Sequence, residues 1–283
     1  MLIEHIFENE NPSIPDEVYE KIRNSEFFKI NYENWLHDKS RDIDDDPYKK
    51  LYRGMNVEKN ITTIKPYKKR QPLDTIPQYH HFVNSKSEDV LGLRVRDLIF
   101  SRLYAGQVKV YGNPYILFPI GDYEIYYHEE TRDFTSNYDT DIKLSTHVMR
   151  TIRGVWGDLK AYKDVVMEVG ELIDGVEVKD YKSFRKQINE NLSKVADLVY
   201  ENALKVYDKV VISKEEFYKR MSTRMNTALN SIEKYIENMK VTKHVKDVDW
   251  TEAMIKAPEI IAISFKLENE FFIEMTKRYR DAN

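Results

Sequence analysis

The residues of this 283-residue chain whose types and spacing point to chemistry stand mostly at the ends of strand-like stretches. In PYKKLYRGMN, residues 47–56, Leu51 and Tyr52 favour a strand and Gly54 permits a backbone geometry closed to most residues. Arg53 then leaves the strand end carrying a planar, permanently charged fork, which suits a phosphate. Further on, IFSRLYAGQVKVYG puts a hydroxyl, Ser101, at a strand end and Tyr111-Gly112 beyond a turn, and APEIIAISF opens a late strand with Glu259. Each has a plainer use. Arg53 can pair with Glu58 or the acidic run at 43–46, Ser101 can satisfy a strand end through a backbone hydrogen bond, and Glu259 can be a surface acid. Arg70, Arg94 and Arg96 compete with Arg53 for the phosphate. The pair His80-His81 does not read as a metal site, because neighbours on a helix point about 100° apart. Neither a glycine-rich phosphate loop nor a nucleophile elbow is present, and His244, Asp247 and Asp249 show no ligand spacing.

The elements that must position these groups follow from composition and period. With 41% hydrophobic, 33% charged and 12% aromatic residues, the chain is too apolar and aromatic to be disordered. Its length predicts either two domains or one domain with a large insertion. The formal net charge of −4 gives no global electrostatic footprint for nucleic acid, so non-specific binding to it is not the default expectation, although KPYKKR at 65–70 is locally basic. Without cysteine there are no disulfides, thiolate metal sites or thiol nucleophiles. No apolar run reaches the ~20 residues that span a bilayer, and the acidic start does not resemble a secretory signal, so a cytoplasmic protein without a membrane partner is expected.

The pattern predicts an α+β chain in four parts. Residues 1–46 read as an N-terminal helical arm, with Val18, Ile22 and Phe27 at roughly helical spacing behind Pro15 and Asp16. Residues 47–144 read as the first part of a mixed β core, with strands in LRVRDLIFSRL, YGNPYILFPIG and DYEIYYHEE and a helix starting near Asp74. Residues 145–247 turn helical: Val148 to Leu172 form one apolar stripe and Phe184 to Val199 a second. A third runs from Phe217 to Met239 behind Ser213, whose hydroxyl caps the helix while Glu216 reaches back; its methionines 221, 225 and 239 read as packing. Residues 248–283 return to strands in EIIAISF and FFIEM. Three amphipathic helices need their apolar faces covered by each other, by the core or by a second copy of the chain, so a homo-oligomer through the helical insertion is one expectation.

The order of LYRG, a Ser-containing strand and a strand opening with Glu resembles the ADP-ribosyltransferase fold. More narrowly, RQPLDTIPQYHHFVN, LGLRVRDLIFS, YGNPYILFPIGDYEIYY and EAMIKAPEIIAISF resemble a group of bacteriophage-encoded proteins related to that fold, over residues 48–134 and 248–275. The resemblance implies an ADP-ribosyltransferase-like mixed β core interrupted by a long helical insertion. It also implies that NAD is the substrate, with ADP-ribose passed to an acceptor through an oxocarbenium-like transition state. On that basis Glu259 would accept from the ribose 2′-OH and stabilise the developing charge, and Ser101 would bond the ribose or orient Glu259. Arg53 would grip phosphate or ribose, and Tyr111 beside Gly112 would stack on nicotinamide. A host protein is the implied partner. Two departures point to an alternative. Ser101 is followed by Arg102 and Leu103 where the family commonly has Ser-Thr-Ser, and Ala257 stands where arginine-modifying members carry Glu or Gln. The alternative is a catalytically inactive fold that binds and inhibits a host protein.

Overall fold

The computed structural model describes residues 14–33, 49–66, 75–130, 138, 143–157, 163–207, 211–248 and 252–281. In chain order the longer elements are α1 (Asp16–Arg23), β1 (Tyr52–Met55), β2 (Ile61–Ile64), α2 (Pro77–Leu91), β3 (Ile99–Ser101), β4 (Asn113–Ile120) and β5 (Glu124–Tyr127). There follow α3 (Leu144–Trp156), α4 (Val166–Asp174), α5 (Tyr181–Val206) and α6 (Lys214–Glu237). The chain closes with β6 (Lys240–Thr242), β7 (Ala253–Lys256), β8 (Glu259–Ser264) and α7 (Glu268–Asp281). These elements form two compact units. The first lies within Met1–Pro66, Leu98–Glu129 and Lys240–Asn283, the second within Tyr67–Asp97 and Glu130–Met239.

The first unit is α+β, with two small antiparallel sheets ordered β1-β4-β8-β2 and β3-β7-β5-β6. β4 is central yet holds two prolines, and alternation explains how. The Leu117 N–H donates to the Leu51 carbonyl at 2.8 Å, so odd-numbered residues of β4 direct their N–H groups toward β1. Pro119 falls on that side beyond the last β1 pair, Tyr52 with Ile116. Pro114 falls on the other side beyond the last β8 pair, Tyr115 with Ser264. Neither removes a ladder bond.

The same alternation divides the packing. Phe118 shares a face with Ile116 and Ile120, and its ring meets Phe27, Phe28, Tyr32, Phe271 and Phe272 at centroid distances of 4.9 to 6.4 Å. α7 is tied to this face by a buried cluster. Lys50 Nζ lies 2.6 Å from Glu268 Oε1, the Tyr52 hydroxyl donates to both Glu268 oxygens at 2.9 and 3.0 Å, and the Lys50 ammonium sits 4.8 Å from the Phe272 ring centre.

The second unit is helical. Pro77 opens α2 where its missing N–H is harmless, and Gly92, at φ +69°, ends it. Asp180 caps α5 by accepting from the Ser183 N–H at 2.8 Å, and Ser213 caps α6 by accepting from the Glu216 N–H at 3.2 Å. The exposed carbonyls ending α4 are met by one side chain: Gln78 Nε2 donates to Ile173, Asp174 and Val176 at 3.2, 2.9 and 3.0 Å. α6 is clamped by Lys86 of α2 on Glu237 at 2.6 Å and by Arg185 of α5 on Glu233 at 2.8 Å.

Four expectations change. FFIEM is helical: Phe271, Met275 and Tyr279 recur every fourth residue and bury one face of α7, and Leu267 on the preceding 3-10 turn continues the period, which five residues alone do not reveal. LRVRDLIFSRL keeps only Ile99–Ser101 as strand, with Val95–Asp97 a 3-10 turn. The stripe from Val148 to Leu172 breaks at Gly157, φ +73°, into α3 and α4. The helical segment does not run unbroken to 247, since Lys240–Thr242 pairs with β5 in the first unit while α2 belongs to the second. Asp74, the acidic run 43–46, Arg70, Asp249 and Trp250 lie outside the described residues.

Candidate functional site

The structure gathers four of the five residues expected to act together around β1. Gly54 is where β1 meets the turn that carries Tyr111: a Cβ there would lie 2.0 Å from the Val108 carbonyl oxygen and 2.9 Å from Tyr111 Cβ. Gly112, at φ +123°, closes against the backbone of Met55. Tyr111 is half-exposed on the 3-10 turn Lys109–Tyr111. Ser101 is reached through the bridge between Tyr52 and Arg102, and Arg53 Nη1 donates to the Phe100 carbonyl at 3.0 Å. Two of these groups have protein partners of the plainer kind. The Ser101 hydroxyl is buried and donates to the Ala253 carbonyl on the neighbouring strand at 3.1 Å, and Arg53 holds β3 to β1.

Glu259 is not part of this group. Arg53 pairs with Tyr115 and Glu259 with Ile120, so five residue steps along β4, about 17 Å at ~3.4 Å each, separate them. An odd number of steps also puts their side chains on opposite faces of the sheet. Arg53 faces the strand of Phe100, while Glu259 faces α1, where Lys21 Nζ donates to both its oxygens at 2.8 and 2.9 Å. The carboxylate one residue from Ser101's strand partner is instead Glu252, mostly buried, with Arg102 Nη2 at 3.7 Å.

The rival cations are also placed. Arg94 pairs with Asp97 at 3.1 Å, and Arg96 is buried and donates to the Thr75 hydroxyl at 2.9 Å, both within the helical unit. His80 Nε2 lies 3.2 Å from Asn84 Nδ2 and 3.7 Å from Asp97 Oδ1, and its ring stands edge-on to His81. Among the described residues no group of three His, Cys, Asp or Glu side chains could hold a metal ion, and no helix is long and apolar enough to cross a membrane.

A concavity lies in the helical unit, where α3 and α6 line a groove of about 930 Å³. From α3 come His147, Arg150, Thr151, Gly154 and Val155, and α6 presents Glu216, Lys219, Arg220, Thr223, Arg224 and Thr227. Among the described lining residues, four cations meet one carboxylate in a chain that is acidic as a whole. Glu216 does not reach back to its cap; it pairs with Arg220 at 2.8 Å, which holds its carboxyl below the usual range. The sequence carried a signal for this groove, since residues 216, 220, 223, 224, 227 and 231 form the polar stripe opposite the apolar one on α6. What it lacked was the second wall.

Comparison with protein-family models, with curated proteins and with solved structures returned no match for this chain.

Proposed function

We propose that this chain acts by binding rather than by catalysis, as a catalytically inactive protein of ADP-ribosyltransferase-like architecture that engages and inhibits a partner. On the resemblance, that partner is a host protein. One observation carries the reading: Arg53 and Glu259 stand on opposite faces of one sheet, and Glu259 is held in an ion pair by Lys21. A carboxylate that stabilises an oxocarbenium ion must face the same sugar as the phosphate-binding cation and keep its charge for the transition state. A second reading, an enzyme that cleaves NAD, is favoured by the grouping of Arg53, Ser101, Tyr111 and Gly112 around β1, with Glu252 as its acid. Purified protein incubated with NAD and followed for nicotinamide separates them. No release is expected from wild type, Glu259→Gln or Glu252→Gln. Release by wild type that is lost in Glu252→Gln would establish the second reading, and release lost in Glu259→Gln would restore the active site first expected.

A further inference from the structure

We infer that the groove between α3 and α6 is a binding site for a small phosphate-bearing molecule of nucleotide size. This is independent of whether the first unit cleaves NAD. Its volume, about 930 Å³, falls in the range of small-ligand sites. Its charge selects the ligand. Arg150 stands on one wall and Lys219, Arg220 and Arg224 on the other, and Glu216, the one acid among the described lining residues, is already engaged by Arg220. Arg224 has no hydrogen-bonded or ion-paired partner among the described residues. A cleft lined mainly by one sign of charge draws ions of the other sign, and guanidinium forks match phosphate oxygens two at a time.

The lining also has the shape and polarity that such a ligand needs. Gly154 on α3 and Ala228 on α6 keep the groove open, and a Cβ at Gly154 would meet nothing within 4 Å. Thr223 adds a hydroxyl to the cationic wall. Tyr138 lines the same groove, its ring edge-on to Tyr235 at 5.6 Å, and gives a base an aromatic surface.

The test is calorimetric titration of the full chain with ATP and with sodium tripolyphosphate at low salt. Both are expected to bind, and both to weaken as salt rises. The paired variant Arg150→Gln/Arg224→Gln is expected to weaken both by about tenfold or more. Gly154→Leu fills the groove from a position where an added Cβ meets nothing within 4 Å, so it is expected to remove binding while the helical circular dichroism stays intact. Absence of heat with either probe up to ~1 mM would overturn the inference, as would affinities that neither variant changes. A single-stranded oligonucleotide that bound more than about tenfold tighter than ATP would overturn it in favour of a nucleic-acid backbone.

Discussion

Replacing Lys50 by methionine tests how β1, which carries Arg53, is fastened to the core. Methionine keeps an unbranched apolar side chain near Phe272 and removes the charge. At 2.6 Å, and with an effective dielectric of ~20, the Lys50–Glu268 attraction is about 6 kcal/mol gross, much of it offset by taking two ions out of water. Removing Lys50 leaves the Glu268 carboxylate buried with Tyr52 as the one donor shown to it, so the variant is expected to lose about 3–5 kcal/mol. The paired variant Lys50→Met/Glu268→Met buries no charge and leaves only the Tyr52 hydroxyl without this acceptor, an expected loss of about 1–2 kcal/mol. The double variant is therefore expected to be more stable than Lys50→Met alone. Urea unfolding followed by circular dichroism and tyrosine fluorescence measures all three. A loss below about 1 kcal/mol in Lys50→Met, or a double variant less stable than the single one, would refute the account of this cluster.

Two further predictions follow from the same unit. Gly112→Ala places a Cβ 2.6 Å from the Met55 carbonyl at φ +123°, and is expected to cost about 1–3 kcal/mol in urea unfolding. Tyr123 is buried and donates to the Lys243 carbonyl at 2.6 Å, and burial pushes its hydroxyl up to about 12. Because the folded value lies above the ordinary 10.0, the stability it contributes is complete below pH 10.0 and is lost as pH rises toward 12. Tyr123→Phe is expected to flatten that alkaline loss, measured by urea midpoints across the interval.

The α+β class, the strands at LYRG, NPYILFPI, EIYY and EIIAIS, and the helices of 181–206 and 214–237 were legible in the chain, because each rests on a local period and local caps. Ser213 shows the limit of that legibility: its capping role is local and appears as read, while the partner of Glu216 is one turn along the helix instead of back at the cap. FFIEM shows another, since five apolar-rich residues fit either period until Leu267 and Tyr279 extend the count.

The candidate site depended on what no linear order contains. Arg53, Ser101 and Glu259 occur in the expected sequence, but whether a side chain meets another across a sheet depends on register and on parity. The pairing of β4 with both β1 and β8 put an odd number of residue steps between Arg53 and Glu259. The groove has the same origin. One wall is the polar stripe of α6, written in the sequence, and the other is Arg150 and Gly154 on α3, more than sixty residues earlier. Local periods determine which face of an element is polar, because burial of the opposite face fixes its rotation. Which polar faces come to confront each other is decided only when the elements pack.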